Sequence, residues 1–213
     1  MNETYLLTRP EHDDTTYYLS QWVKGTVEYA QRKGIKVIDL HRQRARKQEV
    51  ESLLESQSPK LVVLNGHGDN ESVRGHNNEL LITAGQNESL LASKIVYAIS
   101  CSSAKSLGPK SVSAGAISYI GYDDDFIFLY DPAKFSRPLQ DETAGFFLQP
   151  SRLFIESIIK GNAVSEARKK CENMLKDTLK SLLGGNRSDA SIARYLWWDL
   201  KHFVSHGDAD ATI

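Results

Sequence analysis

One histidine and one cysteine each directly follow an apolar run, and together they could carry out nucleophilic catalysis. His67 lies between two glycines after the run at 61–64, and Cys101 follows the run at 94–100. A thiol that attacks a carbonyl carbon needs a proton-transfer partner, N–H donors for the oxyanion and an accessible position. His67 could be that partner, and the backbone N–H groups of Gly68 and Cys101 could be the donors. The two segments therefore predict a Cys101–His67 catalytic dyad.

Small residues flank both side chains. Gly68 has no Cβ and so would let a substrate approach the backbone closely. Gly66 precedes His67, and Ser102 follows Cys101. We expect Gly66, Gly68 and Ser102 to lie at or near the oxyanion site. The competing interpretation makes Cys101 an ordinary buried thiol, because free cysteine packs like a small hydrophobic residue.

Three consecutive aspartates, Asp123, Asp124 and Asp125, follow the apolar segment 116–122. Burying several carboxylates together is costly, so they must face water, a cation or a basic ligand. Three interpretations stay open: a solvated loop, a pocket for the arginine or lysine side chain of a substrate, and a calcium site. All three aspartates are therefore candidate substrate-binding residues.

The other motif-like patterns predict neither a metal site nor a bound cofactor. The calcium site at the three aspartates stays open. His202 and His206 are one helical turn apart, a spacing that can bind zinc. However, Phe203 stands where the zinc motif His-Glu-x-x-His has its glutamate, and a helix that ends nearby would break the spacing. The segment 66–71 lacks both the lysine of a P-loop and the third glycine of a dinucleotide-binding motif.

The elements that must position the dyad alternate between strands and helices. Short apolar runs predict strands at 4–10, 35–40, 60–65 and 94–100. Helical spacing of apolar residues and helix start and stop signals predict helices at 15–33, 44–57 and 87–93. Short links between such elements predict right-handed crossovers and a parallel sheet. Because ligands bind at the carboxyl edge of such sheets, His67 and Cys101 are expected to meet there. The segment 72–82 predicts a hairpin beyond the sheet, and the apolar stripe around Cys171 places that cysteine in the core.

Composition limits the partners. The chain has 213 residues, of which 40% are hydrophobic, and its 26 basic residues balance 27 acidic ones. This balance indicates no nucleic-acid or membrane surface. The first residues lack the basic start and apolar stretch of a secretory signal, and no run approaches the ~20 residues that span a bilayer. The two cysteines suit a reducing compartment, so the cytoplasm is the expected location.

Several segments, taken in order, resemble the caspase-like (clan CD) cysteine peptidases, and most nearly their gingipain-like and CHAT group. VVLNGHG (62–68) and KIVYAISCSSA (94–104) resemble the histidine and cysteine blocks. SAGAISYIGY (113–122) resembles the fifth-strand segment, FFLQPSRLFIESIIKGNAVSEARKKCENML (146–175) the long helical segment, and HFVSHGDADATI (202–213) the terminal strand.

This resemblance implies a single α/β domain over 1–213, with a mostly parallel six-stranded sheet and helices on both faces. It also implies a cysteine endopeptidase, a hydrolase in which Cys101 is the nucleophile and His67 transfers protons. In the resembled group the loop after the fifth strand lies near the substrate cleft, and a preference for Arg or Lys is common. A protein or peptide substrate and a regulatory protein partner are the implied partners.

The sequence also departs from that family. The caspase motif Gln-Ala-Cys-x-Gly is absent, which argues against a true caspase with aspartate specificity. Two alternatives from other classes stay open. One is a catalytically silent caspase-like scaffold, whose loop over 122–150, with Pro132, Pro138 and Pro150, would bind a partner or block the cleft. The other is a different thiol or hydrolase chemistry on a flavodoxin-like sheet.

Overall fold

A six-stranded sheet forms the centre of the molecule in a computed structural model that describes residues 3–184 and 187–213. The strands are β1 (Thr4–Arg9), β2 (Lys36–His41), β3 (Leu61–Asn65), β7 (Ile95–Ile99), β8 (Ser118–Tyr122) and β9 (Phe203–Gly207), and a small second sheet contains β4 (Gly68–Asp69), β5 (Ser72–Arg74) and β6 (Leu80–Thr83). The helices are α1 (Asp14–Arg32), α2 (Lys47–Gln57), α3 (Leu107–Ser113), α4 (Glu142–Ile159), α5 (Val164–Leu183) and α6 (Arg187–His202).

The strand order of the large sheet is β2-β1-β3-β7-β8-β9. All neighbouring pairs are parallel except the last, in which β9 runs antiparallel to β8. The first five strands share the order of flavodoxin-like sheets, so their order alone does not distinguish a caspase-like from a flavodoxin-like sheet. The antiparallel sixth strand, β9, distinguishes them. The prediction of a mostly parallel six-stranded α/β sheet is confirmed.

Helices cover both faces of this sheet, as predicted. Side chains of the central strands alternate between the two faces, which explains why β7 and the first four residues of β3 are continuous apolar runs and why the centre of β1 is apolar. One face packs against α2 and α3, and its buried residues include Leu6, Val62, Leu64, Val96, Val50, Leu54 and Leu107. The other face packs against α1, α4 and α5, and its buried residues include Tyr5, Leu7, Val63, Tyr97, Trp22, Phe154 and Cys171. The prediction that Cys171 belongs to the core is therefore confirmed.

The small sheet lies immediately after β3. The antiparallel pairs β4–β5 and β5–β6 build it, which confirms the predicted hairpin. The backbone N–H of Arg74 donates to the carbonyl of His67 at 2.8 Å. The hairpin therefore holds the backbone that carries the candidate catalytic imidazole.

Some sequence-based boundaries were wrong. The segment 122–150 is not all loop, because α4 begins at Glu142 and contains Pro150. The helix predicted at 44–57 begins only at Lys47, and the short helix predicted at 87–93 is a 3₁₀ turn over Glu88–Leu91. α6 ends at His202 while His206 lies in β9, so these two histidines do not share a helical turn. Within residues 3–184 and 187–213, none of the helices combines the length and apolar character that a membrane crossing requires. That the chain forms one domain over 1–213 stays a prediction.

Candidate active site

The His67 and Cys101 segments leave the sheet side by side. β3 and β7 are hydrogen-bonded neighbours, with Asn65 opposite Ile99. The pairing continues past the strand ends, where the Gly66 N–H donates to the Ile99 carbonyl at 3.3 Å. A Cβ added to Gly68 would lie 2.7 Å from the Cys101 carbonyl oxygen. The structure thus brings these two segments into direct contact.

Both glycines around His67 are required by their neighbours. Gly66 has φ +148°, and a Cβ there would collide with the carbonyl of Arg74. At Gly68 the space is filled by Ser100 and the Cys101 backbone, and not by a site for substrate. The expectation that Gly68 admits a substrate through its missing Cβ is therefore replaced: the glycine lets the two segments pack. Gly66 has a structural role, because its N–H is bound to the sheet.

His67 is oriented by a carboxylate from another segment. Its Nε2 lies 2.6 Å from Oδ2 of Asp13, and Asp13 is the N-cap of α1, where its Oδ1 accepts from the Thr16 N–H at 2.8 Å. Although burial raises the pKa of Asp13, the hydrogen bonds from Thr16 and His67 outweigh it and hold that pKa below its usual value. An ionised carboxylate therefore holds Nε2, which leaves Nδ1 of His67 for reacting groups.

The role of Asp13 was not predicted from the sequence. Asp13 and His67 are 54 positions apart, so no local spacing relates them. Only the strand order of the folded sheet relates them. β1 and β3 flank the point where the strand order reverses, and ligands bind at the carboxyl ends of strands at that point. The first acidic groups after β1 were therefore candidates to contact the group after β3.

The Cys101 thiol is half-buried and donates to the carbonyl of Phe126, with an Sγ–O distance of 3.8 Å. Burial raises the pKa of this thiol, and the nearby carboxyl groups of Asp125, Asp199 and Asp124 raise it further. Since the thiolate is the reactive form, Cys101 is held as a neutral thiol at neutral pH. Attack on a carbonyl would require that its proton be removed during the reaction.

Two hydrogen bonds fix the loop after Cys101 to the loop after β8. Ser102 has φ +56°, and its N–H donates to the Asp124 carbonyl at 2.9 Å. The Ala104 N–H donates to the Tyr122 carbonyl at 3.0 Å. Ser102 therefore lies beside Cys101, as expected, but its N–H is already engaged and is not an oxyanion donor.

Unlike the Ser102 N–H, the two N–H groups expected to hold an oxyanion, those of Gly68 and Cys101, are not engaged by neighbouring carbonyls among the residues that the structure describes. In the antiparallel β4–β5 pair the Arg74 N–H binds the His67 carbonyl, so the next pair, Gly68 and Val73, is a non-hydrogen-bonded one. The Gly68 N–H consequently points away from β5. Within the described ranges, the Cys101 N–H makes no hydrogen bond to the protein. Both groups are available as donors.

The three aspartates after β8 have distinct surroundings. Asp123 Oδ1 lies 2.7 Å from Nδ1 of His202, so its charge has a partner. The Asp124 carboxylate accepts from the Asp125 N–H at 2.8 Å. The Asp125 side chain is exposed, and in the part of the chain that the structure describes no hydrogen bond reaches its carboxylate. Among the described residues, neither Asp124 nor Asp125 has a cationic partner, and only Asp125 also lacks a hydrogen bond to its carboxylate.

A fourth aspartate of this region, Asp199 on α6, was not anticipated. Its Oδ1 accepts from the Ile127 N–H at 3.0 Å, while its buried Oδ2 has no hydrogen-bond partner within the described residues. Burial raises the pKa of Asp199 well above its usual value. Nothing in the sequence distinguished it from other helical acids.

No family model matches this sequence, and no curated protein matches it. Solved structures do resemble it. Gingipain R, described as an Arg-specific cysteine proteinase, superposes with a TM-score of 0.65 at 8% sequence identity, over 99% of this chain and 47% of that one. The complex of Porphyromonas gingivalis RgpB pro- and mature domains gives a TM-score of 0.57, also at 8% identity, over 99% and 48%.

The chain therefore has the caspase-like fold of the gingipains, and it spans about half the length of the gingipain chains that it matches. The resemblance noted in the motifs is confirmed at the level of the fold. Placement in the CHAT group stays a prediction.

Proposed function

We propose that this protein is a cysteine endopeptidase in which Cys101 and His67 act on a peptide bond, with Asp13 orienting His67. One observation carries the proposal: the imidazole after β3 is held through Nε2 by Asp13 at 2.6 Å, beside the segment that presents the Cys101 thiol. A nucleophile, a base and a group that orients the base are the three parts of such a site.

The steps follow from these atoms. Cys101 Sγ attacks the scissile carbonyl carbon while its proton passes to Nδ1 of His67, and the Asp13 carboxylate stabilises the resulting imidazolium through Nε2–H. The N–H groups of Gly68 and Cys101 bind the oxyanion. The C–N bond then breaks as Nδ1–H protonates the leaving amine, which leaves a thioester. A water molecule, deprotonated by Nδ1, cleaves the thioester and restores the thiol.

The charges beside the thiol support cleavage after Arg or Lys. Asp125 and Asp124 lie close enough to Cys101 to raise its pKa, and such a negative field attracts a basic side chain. Asp125 is the foremost candidate among the three predicted substrate-binding residues, because it is the exposed one. The Asp123 carboxylate is paired with His202, and the Asp124 carboxylate accepts the Asp125 N–H. Gingipain R, which shares the fold, is described as Arg-specific.

A catalytically silent caspase-like scaffold is the second candidate, and one observation favours it. The Cys101 thiol is half-buried, hydrogen-bonded to Phe126 and kept neutral by its raised pKa. A latent enzyme controlled by a protein partner fits the same observation. The RgpB structure contains a pro-domain bound to a mature domain. We include such a regulatory partner, and a cytoplasmic location, in the proposal.

Covalent labelling separates these candidates. The protein is treated with peptidyl acyloxymethyl ketones that carry Arg, Lys, Asp or Leu next to the reactive group, and mass spectrometry locates the adduct. We expect labelling of Cys101 by the Arg and Lys probes, loss of the adduct in Cys101→Ala and strong weakening in His67→Ala. General acid–base catalysis contributes ~10²–10⁴ in rate, so His67→Ala should lose that much peptide turnover. Unlabelled Cys101 in the presence of calcium and cell extract would favour the silent scaffold.

A further inference from the structure

Two histidines and a carboxylate converge at the carboxyl ends of β1 and β3. The nearest ligand atoms of His12, Asp13 and His67 all lie within 4.8 Å of one another. Asp13 Oδ1 is engaged by the α1 cap, while Oδ2 faces both imidazoles, 2.6 Å from His67 Nε2 and 3.5 Å from His12 Nε2. The proposed peptidase mechanism uses His67 and Asp13 but gives His12 no role.

His12 is the unexplained member of this cluster. Its side chain is only 10% exposed, and neither ring nitrogen has a hydrogen-bond partner among the described residues. Buried polar groups nearly always have a partner. The imidazole is instead held by edge-to-face contacts with the rings of His67 and His76, at centroid distances of 5.9 and 5.4 Å. The buried His12 imidazole therefore faces the Asp13 carboxylate with a ring nitrogen that is free to bind a metal ion.

The donor set matches a zinc ion. Two imidazoles and one carboxylate are the protein ligands of many open zinc sites, with a water in the fourth position. With Zn–N and Zn–O distances of ~2.0–2.1 Å, ligand atoms of a tetrahedral site lie ~3.3 Å apart. The His12–Asp13 distance of 3.5 Å is already close to that value. The 2.6 Å pair of His67 and Asp13 has to open by about 0.7 Å to reach it. The two imidazoles, whose ligand atoms lie within 4.8 Å of each other, have to approach by at most about 1.5 Å.

We propose that His12, Asp13 and His67 bind one Zn²⁺, with Nε2 of His67, Oδ2 of Asp13 and the His12 imidazole as ligands and water completing the tetrahedron. The site is distinct from a thiolate site, because Cys101 is not part of this ligand set.

Occupancy of this site would switch the peptidase off, a consequence that rests on the proposed function. Zinc takes the Nε2 lone pair of His67, so the ring can no longer carry two protons. Imidazolium does not form, and Nδ1 loses its ability to accept the thiol proton and deliver it to the leaving amine. Zinc also takes the Asp13 oxygen that would stabilise the imidazolium. The metal-bound protein is thus a latent form.

Zinc titration by calorimetry, combined with X-ray absorption at the zinc edge, tests the site without any need for activity. We expect one Zn²⁺ per chain, coordinated by two imidazoles and oxygen donors. Loss of an outer-shell partner typically costs 10–100-fold in metal affinity, so removal of a direct ligand in His12→Gln should weaken binding at least ~100-fold. The matched control is His206→Gln, since His206 lies outside the cluster with its Nε2 bonded to the Ala104 carbonyl; it should bind like the parent.

Cys101→Ala decides between this site and a thiolate site, and it should retain the parent affinity. Equal affinity in the parent and His12→Gln would overturn the proposal, as would loss of binding in Cys101→Ala. In peptide hydrolysis, the zinc concentration for half-inhibition should rise at least ~100-fold in His12→Gln, each protein being compared with its own metal-free rate. Zinc that binds but does not slow hydrolysis overturns the latent form. An inactive parent counts against the proposed function, while the titration still decides the zinc site.

Discussion

Asp13 has two roles in the structure, and Asp13→Asn separates them. Its Oδ1 caps α1 and its Oδ2 holds His67. Asparagine is as good an N-cap as aspartate, so this variant should unfold like the parent. It removes the negative charge beside Nε2 of His67 and, with the amide oxygen kept on the cap, turns an N–H donor toward that nitrogen. His67 is then held with its proton on Nδ1, the tautomer that does not accept the thiol proton. Asp13→Ala removes both functions and should also cost about 1 kcal/mol of stability.

The expected loss of activity follows from the exposure of the pair. A hydrogen bond to a charged group contributes about 1.5–3 kcal/mol. The side chains of His67 and Asp13 are 35% and 38% exposed, so water screens the pair, and we take about 1–2 kcal/mol. At about 1.4 kcal/mol per factor of ten, loss of the charge alone lowers kcat/KM roughly 5- to 30-fold. The reversed tautomer adds to this loss, up to the ~10⁴-fold known for the same change in a Ser-His-Asp triad. The total loss should therefore approach the ~10²–10⁴-fold loss expected for His67→Ala.

The assay is hydrolysis of a fluorogenic peptide with Arg before the scissile bond, measured beside urea unfolding of the same protein samples. Asp14→Asn is the matched control. It makes the same charge change one residue later, where the carboxylate accepts from Tyr130 instead of touching His67. An Asp13→Asn variant with parental kcat/KM, or a loss equalled by Asp14→Asn, would refute the orienting role of Asp13.

Three further predictions concern the surroundings of the thiol. Because the Asp125 charge raises the Cys101 pKa, Asp125→Asn should increase the thiolate fraction of Cys101. Neutral iodoacetamide should therefore alkylate Cys101 faster in this variant than in the parent. The same variant should lose up to about fivefold in kcat/KM for Arg peptides but not for Leu peptides, the range of an exposed charge pair; equal losses for both would exclude a specificity role. Gly68→Ala places a Cβ against the Cys101 carbonyl and should cost about 1–3 kcal/mol by urea unfolding and abolish labelling. Gly184→Ala, which meets no atom closer than 3.6 Å, should do neither. Burial raises the folded-state pKa of Asp199 above 3.8, so its contribution to stability is fully present below pH 3.8 and is lost as pH rises toward the folded pKa. Asp199→Asn should therefore gain stability relative to the parent as the pH rises above about 4, and a stability difference that does not change with pH would contradict the raised pKa of Asp199.

The sequence predicted the sheet well because its central strands are buried on both faces. β3 and β7 show as apolar runs in the sequence, and β1 has an apolar centre. Such runs identify strands of a parallel sheet without any knowledge of their neighbours. Pro150 marks where this reasoning failed. A proline usually ends a helix, yet packing of the apolar side chains of α4 against the sheet keeps the helix continuous through Pro150.

The site was predictable only where one short segment carries the signal. His67 and Cys101 each stand at the end of an apolar run, so their meeting follows from strand adjacency. Asp13, His12 and Asp199 carry no such mark, because their importance arises from contacts between distant segments. The position of Asp13 beside His67 depends on the order of β1 and β3 in the sheet, which local patterns do not encode.

The shared use of Asp13 gives the proposals a common physical basis. A single carboxylate oxygen, Oδ2, faces His67 at 2.6 Å and His12 at 3.5 Å, while Oδ1 is fixed by the helix cap. That oxygen either stabilises the imidazolium or binds zinc, but not both, so activity and metal binding must compete for it. Because the cap fixes the carboxylate without involving the imidazoles, the exchange between the two states needs no change in α1. The resting thiol, neutral and bonded to Phe126, would then be engaged only when His67 is free to accept its proton.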